Sequence, residues 1–235
     1  MNFVDIAILL ILALTILGGL YRGFVDTAFN IAATILSWGL AMLMIPLIAS
    51  GIKNNEKLFN TMLYYTEGAE YVAVTDVELT RTPISQVSAD TLHMVLDNAD
   101  MPRPMPNAVT KNIATEALAE DGITTLGDYF NQTIVCVAIN IVSVLLLFAI
   151  LRILLAFVIR GIDVGRGGFP VLQKGDSLIG AGLGLIHGVL MVFILFLAAP
   201  ILLTVLPKLY KFLSESLLGE FFYQANFLIP LIPSI

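Results

Sequence analysis

Cysteine, histidine and charge are all scarce in this 235-residue chain: one cysteine, two histidines, and Asp, Glu, Lys and Arg at only 13% of residues. A lone thiol, Cys136, can form neither an intrachain disulfide nor a cysteine metal cluster, and it reads as a small core residue. Cys136 and Ser143 have no acid near them in sequence, and His93 and His187 lie in segments of opposite character, so no set of nucleophile, base and orienting group is legible. A His and carboxylate metal pattern is equally missing. The expectation is a non-enzymatic protein without cofactor or metal. Gly165-Arg166-Gly167-Gly168 has neither a preceding strand nor the Gly-Lys-Ser/Thr ending of a phosphate loop, and reads as a turn. Twelve Lys and Arg against 18 acids give a formal net charge of −6, which argues against nucleic acid as a partner, since phosphate contacts need clustered bases.

What the chain has in abundance is apolar sequence: 58% of residues are hydrophobic and the mean hydropathy is +0.91. A soluble domain is typically about 25% charged. Four stretches, at about 4–21, 27–49, 132–159 and 177–205, meet the roughly 20 residues that cross a bilayer core of about 30 Å. The first lacks the basic start of a secretory signal, carries Asp5 instead and has Arg22 after it, so it reads as a retained span. The predicted fold is all-α: a polytopic membrane bundle of about four helices in two hairpins.

The short turns hold the bases. Arg22 lies between spans one and two; Arg160, Arg166 and Lys174 lie between spans three and four, with Arg152 near the end of span three. Lys and Arg near span ends stay in the cytoplasm, which puts both turns inside and both termini outside. These bases also suit anionic lipid headgroups at the inner leaflet. The segment 51–131 then falls outside and carries twelve acids against five bases, so it accounts for all of the net negative charge.

The segments predicted are a first hairpin at 1–50, an acidic extracytoplasmic insertion at 51–131, a second hairpin at 132–206 and a tail at 207–235. Apolar spacing predicts helices over 56–72 and over 107–119, the latter capped by Asn107, with the proline-rich 101–106 extended between them. In the tail, Leu209, Phe212, Leu213, Leu217 and Phe221 share one helical face; an amphipathic helix on the membrane surface fits, as does a helix packed on the outer loop.

Gly180, Gly184 and Gly188 recur every four residues, a spacing that only a helix places on one face, and small residues let helices approach closely in lipid. His187 lies ten residues after Ser177, about 15 Å into its span. A polar side chain there marks a pathway or joins a neighbouring helix, Asn140 being one candidate partner. Asp176 stands where an N-cap of the fourth helix belongs, with a pairing to Arg22 or Arg160 as the alternative. Asp5, one turn into the first span, is expected at the interface.

Asp5 before an apolar run, Arg22-Gly23-Phe24 at the first turn, and Asp176 followed by Gly180, Gly184 and Gly188 together resemble the colicin V production protein (CvpA) family over roughly residues 3–50 and 130–205. The chain departs from the family in having Thr27 and Asp26 where a glutamate is usual, and His187 where Arg or Lys often precedes the glycine. The resemblance implies a multi-pass protein of the bacterial cytoplasmic (inner) membrane that serves toxin production or secretion, or envelope homeostasis, without a known reaction. Its expected partners are membrane lipids and a second copy or another membrane protein. Two further readings are a small oligomeric channel or transporter with His187 in its pathway, and an anchor whose acidic loop holds a soluble partner or a cation.

Overall fold

The computed structural model describes residues 2–165 and 176–235 apart from Pro207, with backbone alone at 160–165. Arg166 and Lys174 and the side chain of Arg160 lie outside the described residues. Among the described residues ten α-helices run α1 (Phe3–Lys53), α2 (Glu56–Thr66), α3 (Glu70–Ala73), α4 (Ala89–Asn98), α5 (Met105–Ala114), α6 (Leu126–Gly165), α7 (Asp176–Leu195), α8 (Ala199–Val205), α9 (Leu209–Ser214) and α10 (Leu217–Gln224), with short 3-10 turns between some of them and no strand. Among the described residues, three continuous stretches are long and apolar enough to cross a membrane: Phe3–Lys53, Leu126–Ile159 and Asp176–Val205.

The first two expected spans therefore form one helical run. At 51 residues, α1 would extend about 76 Å if straight, over twice the bilayer core. It is not straight: Gly23 has φ 83° and ψ −177°, outside the helical region. In place of the turn expected over residues 21–26, one glycine redirects the chain. Its effect is read from what each side touches. A Cβ on Gly188 would meet Thr15, while Thr34 lies 3.0 Å from His187. Nineteen residues of straight helix would hold Thr15 and Thr34 about 28 Å apart, yet both reach adjacent residues of α7.

The chain divides into two compact units that cut across the expected segments. One comprises Met1–Ile45, Val144–Ala199 and Lys208–Leu228; the other comprises Pro46–Ser143, Pro200–Pro207 and Ile229–Ile235. In the first unit, Leu10, Leu14 and Leu17 stand one helical face apart on α1 and are each about 60% exposed. A stripe of this kind is unstable in water and ordinary against lipid.

The second unit holds the acidic segment. Its core is Val72, Val95, Met105, Val109, Leu118, Leu126, Tyr129 and Phe130, all buried. The helix expected over 56–72 breaks after Thr66, where Glu67 takes a left-handed φ of 49° and caps α2. Gly68 donates its amide to Asn131 Oδ1 at 2.9 Å, and a Cβ there would meet the Asn131 backbone. α5 begins at Met105, two residues before the expected cap, with Pro106 in its first turn where no amide proton is required. It ends at Ala114, short of 119. α4, capped by Ser88, is not among the expected helices, although Leu92, Val95 and Leu96 recur at helical spacing. Burial in this unit raises the Tyr71 phenol above its ordinary pKa.

The tail is two helices and not one. Ser216 is extended (φ −96°, ψ 121°) and caps α10 by accepting from the Gly219 amide at 2.8 Å. The break rotates the expected apolar face: Leu213 and Phe222 are buried, whereas Phe212, Leu217 and Phe221 remain exposed. The buried side packs on α7, where Phe193 meets Phe222 edge-on at 5.1 Å and Asn226 Nδ2 donates to the Phe193 carbonyl.

Candidate functional site

The polar residues of the first unit gather at three joints. The first lies at Gly23. Asp176 is the first residue of α7, and its carboxylate accepts the Phe24 amide proton, so it caps the second segment of α1 in addition to opening its own helix. A Cβ on Gly23 would fall on that same carboxylate. Thr27, standing where the resembling family has glutamate, is buried and donates to the Gly23 carbonyl at 2.7 Å. The sequence points to Asp176 as a cap but not to the helix end that receives it.

The second joint is the glycine face. Gly180, Gly184 and Gly188 are all buried. A Cβ on Gly180 would strike the Gly19 carbonyl oxygen, one on Gly184 the Thr15 carbonyl oxygen, and one on Gly188 the Thr15 hydroxyl. The face is therefore filled from within the chain, by the first segment of α1. Gly19 and Thr15 complete it, and their spacing of four was the available signal.

The third joint holds Asp5. The residue is buried, at 1% exposed, rather than resting at an interface. Its Oδ1 accepts from Ser216 Oγ at 2.7 Å and from the Leu218 amide at 2.9 Å, while Oδ2 accepts from the Asn2 amide at 2.8 Å. Through these bonds the carboxylate anchors the start of α10 onto the start of α1.

Between these joints the second segment of α1 carries a row of small and polar residues at spacings of three and four: Thr27, Asn30, Thr34, Ser37 and Ala41. Thr34 Oγ1 donates to the Asn30 carbonyl at 2.8 Å and lies 3.0 Å from His187 Nε2. With the hydroxyl proton given to Asn30, the imidazole Nε2–H is the donor of the second bond. Asn30 Nδ2 donates to the Asp26 carbonyl, which leaves Oδ1 to accept from Arg152 at 2.7 Å. Adjacent turns of one helix thus receive Arg152 from α6 and His187 from α7. Asn140 is bound elsewhere, donating to the Pro233 carbonyl at 3.0 Å. Asn30 and Thr34 escape a reading of motifs because each is unremarkable alone; their spacing in an otherwise apolar run was the only sign.

A cavity of about 610 Å³ opens at this row, with Arg22, Asp26, Asn30 and Arg152 as its polar wall. Among the described residues no group of three or more His, Cys, Asp or Glu comes together as metal ligands would. Compared with family models, with curated proteins and with solved structures, the chain finds no match in any of the three.

Proposed function

We propose that this chain is a non-enzymatic, multi-pass protein of the bacterial cytoplasmic membrane, of the colicin V production type, crossing four times in two hairpins. Its work is toxin production or secretion, or envelope upkeep, carried out by association with a further copy or another membrane protein. One observation carries the reading: the residues behind the family resemblance are joints of a single unit. Asp5 binds the tail, Gly23 and Phe24 meet Asp176, and the three glycines of α7 seat Gly19 and Thr15. A fold that needs those residue types at those positions gives the resemblance a physical basis. The approach of Thr15 and Thr34 to neighbouring residues of α7 supports the first hairpin.

Since the glycine face is filled internally, a partner would dock on other surfaces, such as the exposed aromatic side of α9 and α10 with Phe212, Leu217 and Phe221. The test is complementation. In a colicin V-secreting bacterium whose own production protein has been deleted, expression of this chain restores extracellular toxin. Protein that is present in the membrane but leaves toxin release at the level of the deletion strain contradicts the reading.

A second reading, an oligomeric conduit, is favoured by the line from Arg152 through Asn30 and Thr34 to His187. Intramembrane ionisable residues commonly border an ion or proton pathway. Flux through liposomes holding the pure protein, abolished by His187→Leu, supports it; ion-tight liposomes reject it.

A further inference from the structure

Arg152 is the only basic residue within the span Leu126–Ile159, and among the described residues the cavity beside it holds an unbalanced positive charge. Two guanidiniums, of Arg22 and Arg152, share that wall with one carboxylate, Asp26. Among the described residues, no carboxylate lies within ion-pair distance of either guanidinium. Asn30 accepts one bond from Arg152 and is neutral, so it orients the group without compensating its charge. A cation in an apolar helix is expensive unless it is paired or reaches the interface. Arg152 stands eight residues, about 12 Å, before Arg160, where the apolar run of the sequence ends, a depth at which headgroups are reachable.

The rest of the wall is hydrocarbon: Phe148, Ala149, Ile153, Ala156 and Ile159. Ile153 is 58% exposed, and on the next turn Phe157 is 67% exposed, so the cavity continues into the lipid-facing surface of α6. A site for a free anion has no use for such a wall.

We propose that this cavity binds the phosphate of an anionic membrane lipid, its headgroup held by Arg152 and Arg22 and its acyl chain lying along Ile153 and Ile159. Arginine suits the task because its planar fork meets two phosphate oxygens at once. Asn30 is the positioning residue: with its amide committed to the Asp26 carbonyl, its oxygen fixes one edge of the Arg152 guanidinium and leaves the other edge for the ligand. The site rests on the bundle lying in a membrane and is independent of the toxin-production reading.

The experiment uses the full chain in phosphatidylcholine nanodiscs containing a minor fraction of phosphatidylglycerol. Native mass spectrometry of the released protein then counts retained lipids. Incorporation into the disc tests the membrane reading separately from the site. The expected result is enrichment of phosphatidylglycerol over phosphatidylcholine by about fivefold per arginine, lost stepwise in Arg22→Gln and Arg152→Gln and kept in Lys211→Gln. Arg22 is exposed, so its variant tests the site even if Arg152→Gln fails to fold. Inorganic phosphate, added at millimolar concentration, separates the sources. If it leaves the lipid bound, the ligand is the headgroup; if it displaces the lipid, the anion site stands and a soluble phosphate is its occupant. Equal retention of the two lipids by folded wild-type protein, or enrichment that survives in Arg22→Gln and Arg152→Gln alike, overturns the proposal.

Discussion

Gly184→Leu dismantles the first unit, and of all single changes considered it carries the largest expected loss of stability. A Cβ at residue 184 already meets the Thr15 carbonyl oxygen and the Ile16 Cα, so the obstacle is backbone and no side-chain rotation relieves it. Relief requires α7 to withdraw from the first segment of α1, and that withdrawal also pulls Gly180 from Gly19 and Gly188 from Thr15. In lipid, contact between helices is the main attraction that holds them together. Overpacking of even a deformable core costs about 1–3 kcal/mol, and with a rigid neighbour the loss is about 3 kcal/mol or more. Gly182 supplies the control, since nothing lies within 4 Å of a Cβ there. Gly182→Leu, two residues away on the same helix, keeps stability or raises it by up to about 1 kcal/mol, because it removes a glycine from a helix interior without a clash. Thermal unfolding of both variants in detergent, followed by size exclusion, reads the difference. Equal stability of the two would mean that α7 does not seat against α1 through its glycines.

The second large effect is Gly23→Ala. Residues in this region of φ and ψ are almost always glycine, and a side chain there costs about 1–3 kcal/mol. The new methyl also lands on the Asp176 carboxylate that caps the second segment of α1, so a cap worth about 1 kcal/mol is lost in addition. The sum is about 2–4 kcal/mol. Gly18→Ala, with open space around its Cβ and an ordinary helical setting, gains up to about 1 kcal/mol by removing a glycine from a helix interior. The two substitutions add the same methyl in opposite senses, which isolates backbone geometry from helix propensity. Because Gly23 and Asp176 share one joint, Gly23→Ala combined with Asp176→Ala costs less than the sum of the two alone. Strict additivity would contradict the contact between them.

Apolar run length and the small-residue period of α7 were legible in the sequence because each is a local pattern repeated many times. The helical content and three long apolar helices follow from it. What escaped was decided by single residues with distant partners. Gly23 reads as part of a six-residue turn, because nothing local says that one glycine suffices when an acid 153 positions later supplies the missing cap. Ser216 reads as a polar position on one amphipathic helix, yet its bond to Asp5 draws the chain out of helical geometry and splits the tail in two. Pro106 reads as a helix breaker, whereas in a first turn it has no bond to break. For His187, the expected partner Asn140 gives way to Thr34, whose hydroxyl is inconspicuous in a span of apolar residues.

The proposed double crossing requires α1 to reverse at Gly23 within the membrane. Cysteine accessibility in intact cells tests it directly, on a Cys136→Ala background that removes the only native thiol. Tyr21, at 92% exposed, marks the joint, and Thr61 on α2 marks the far end of the second segment. The expected result is that Thr61→Cys reacts with a membrane-impermeant maleimide added outside, and that Tyr21→Cys reacts only after the cytoplasmic face is opened. Labelling of both positions from the same side would contradict the reversal.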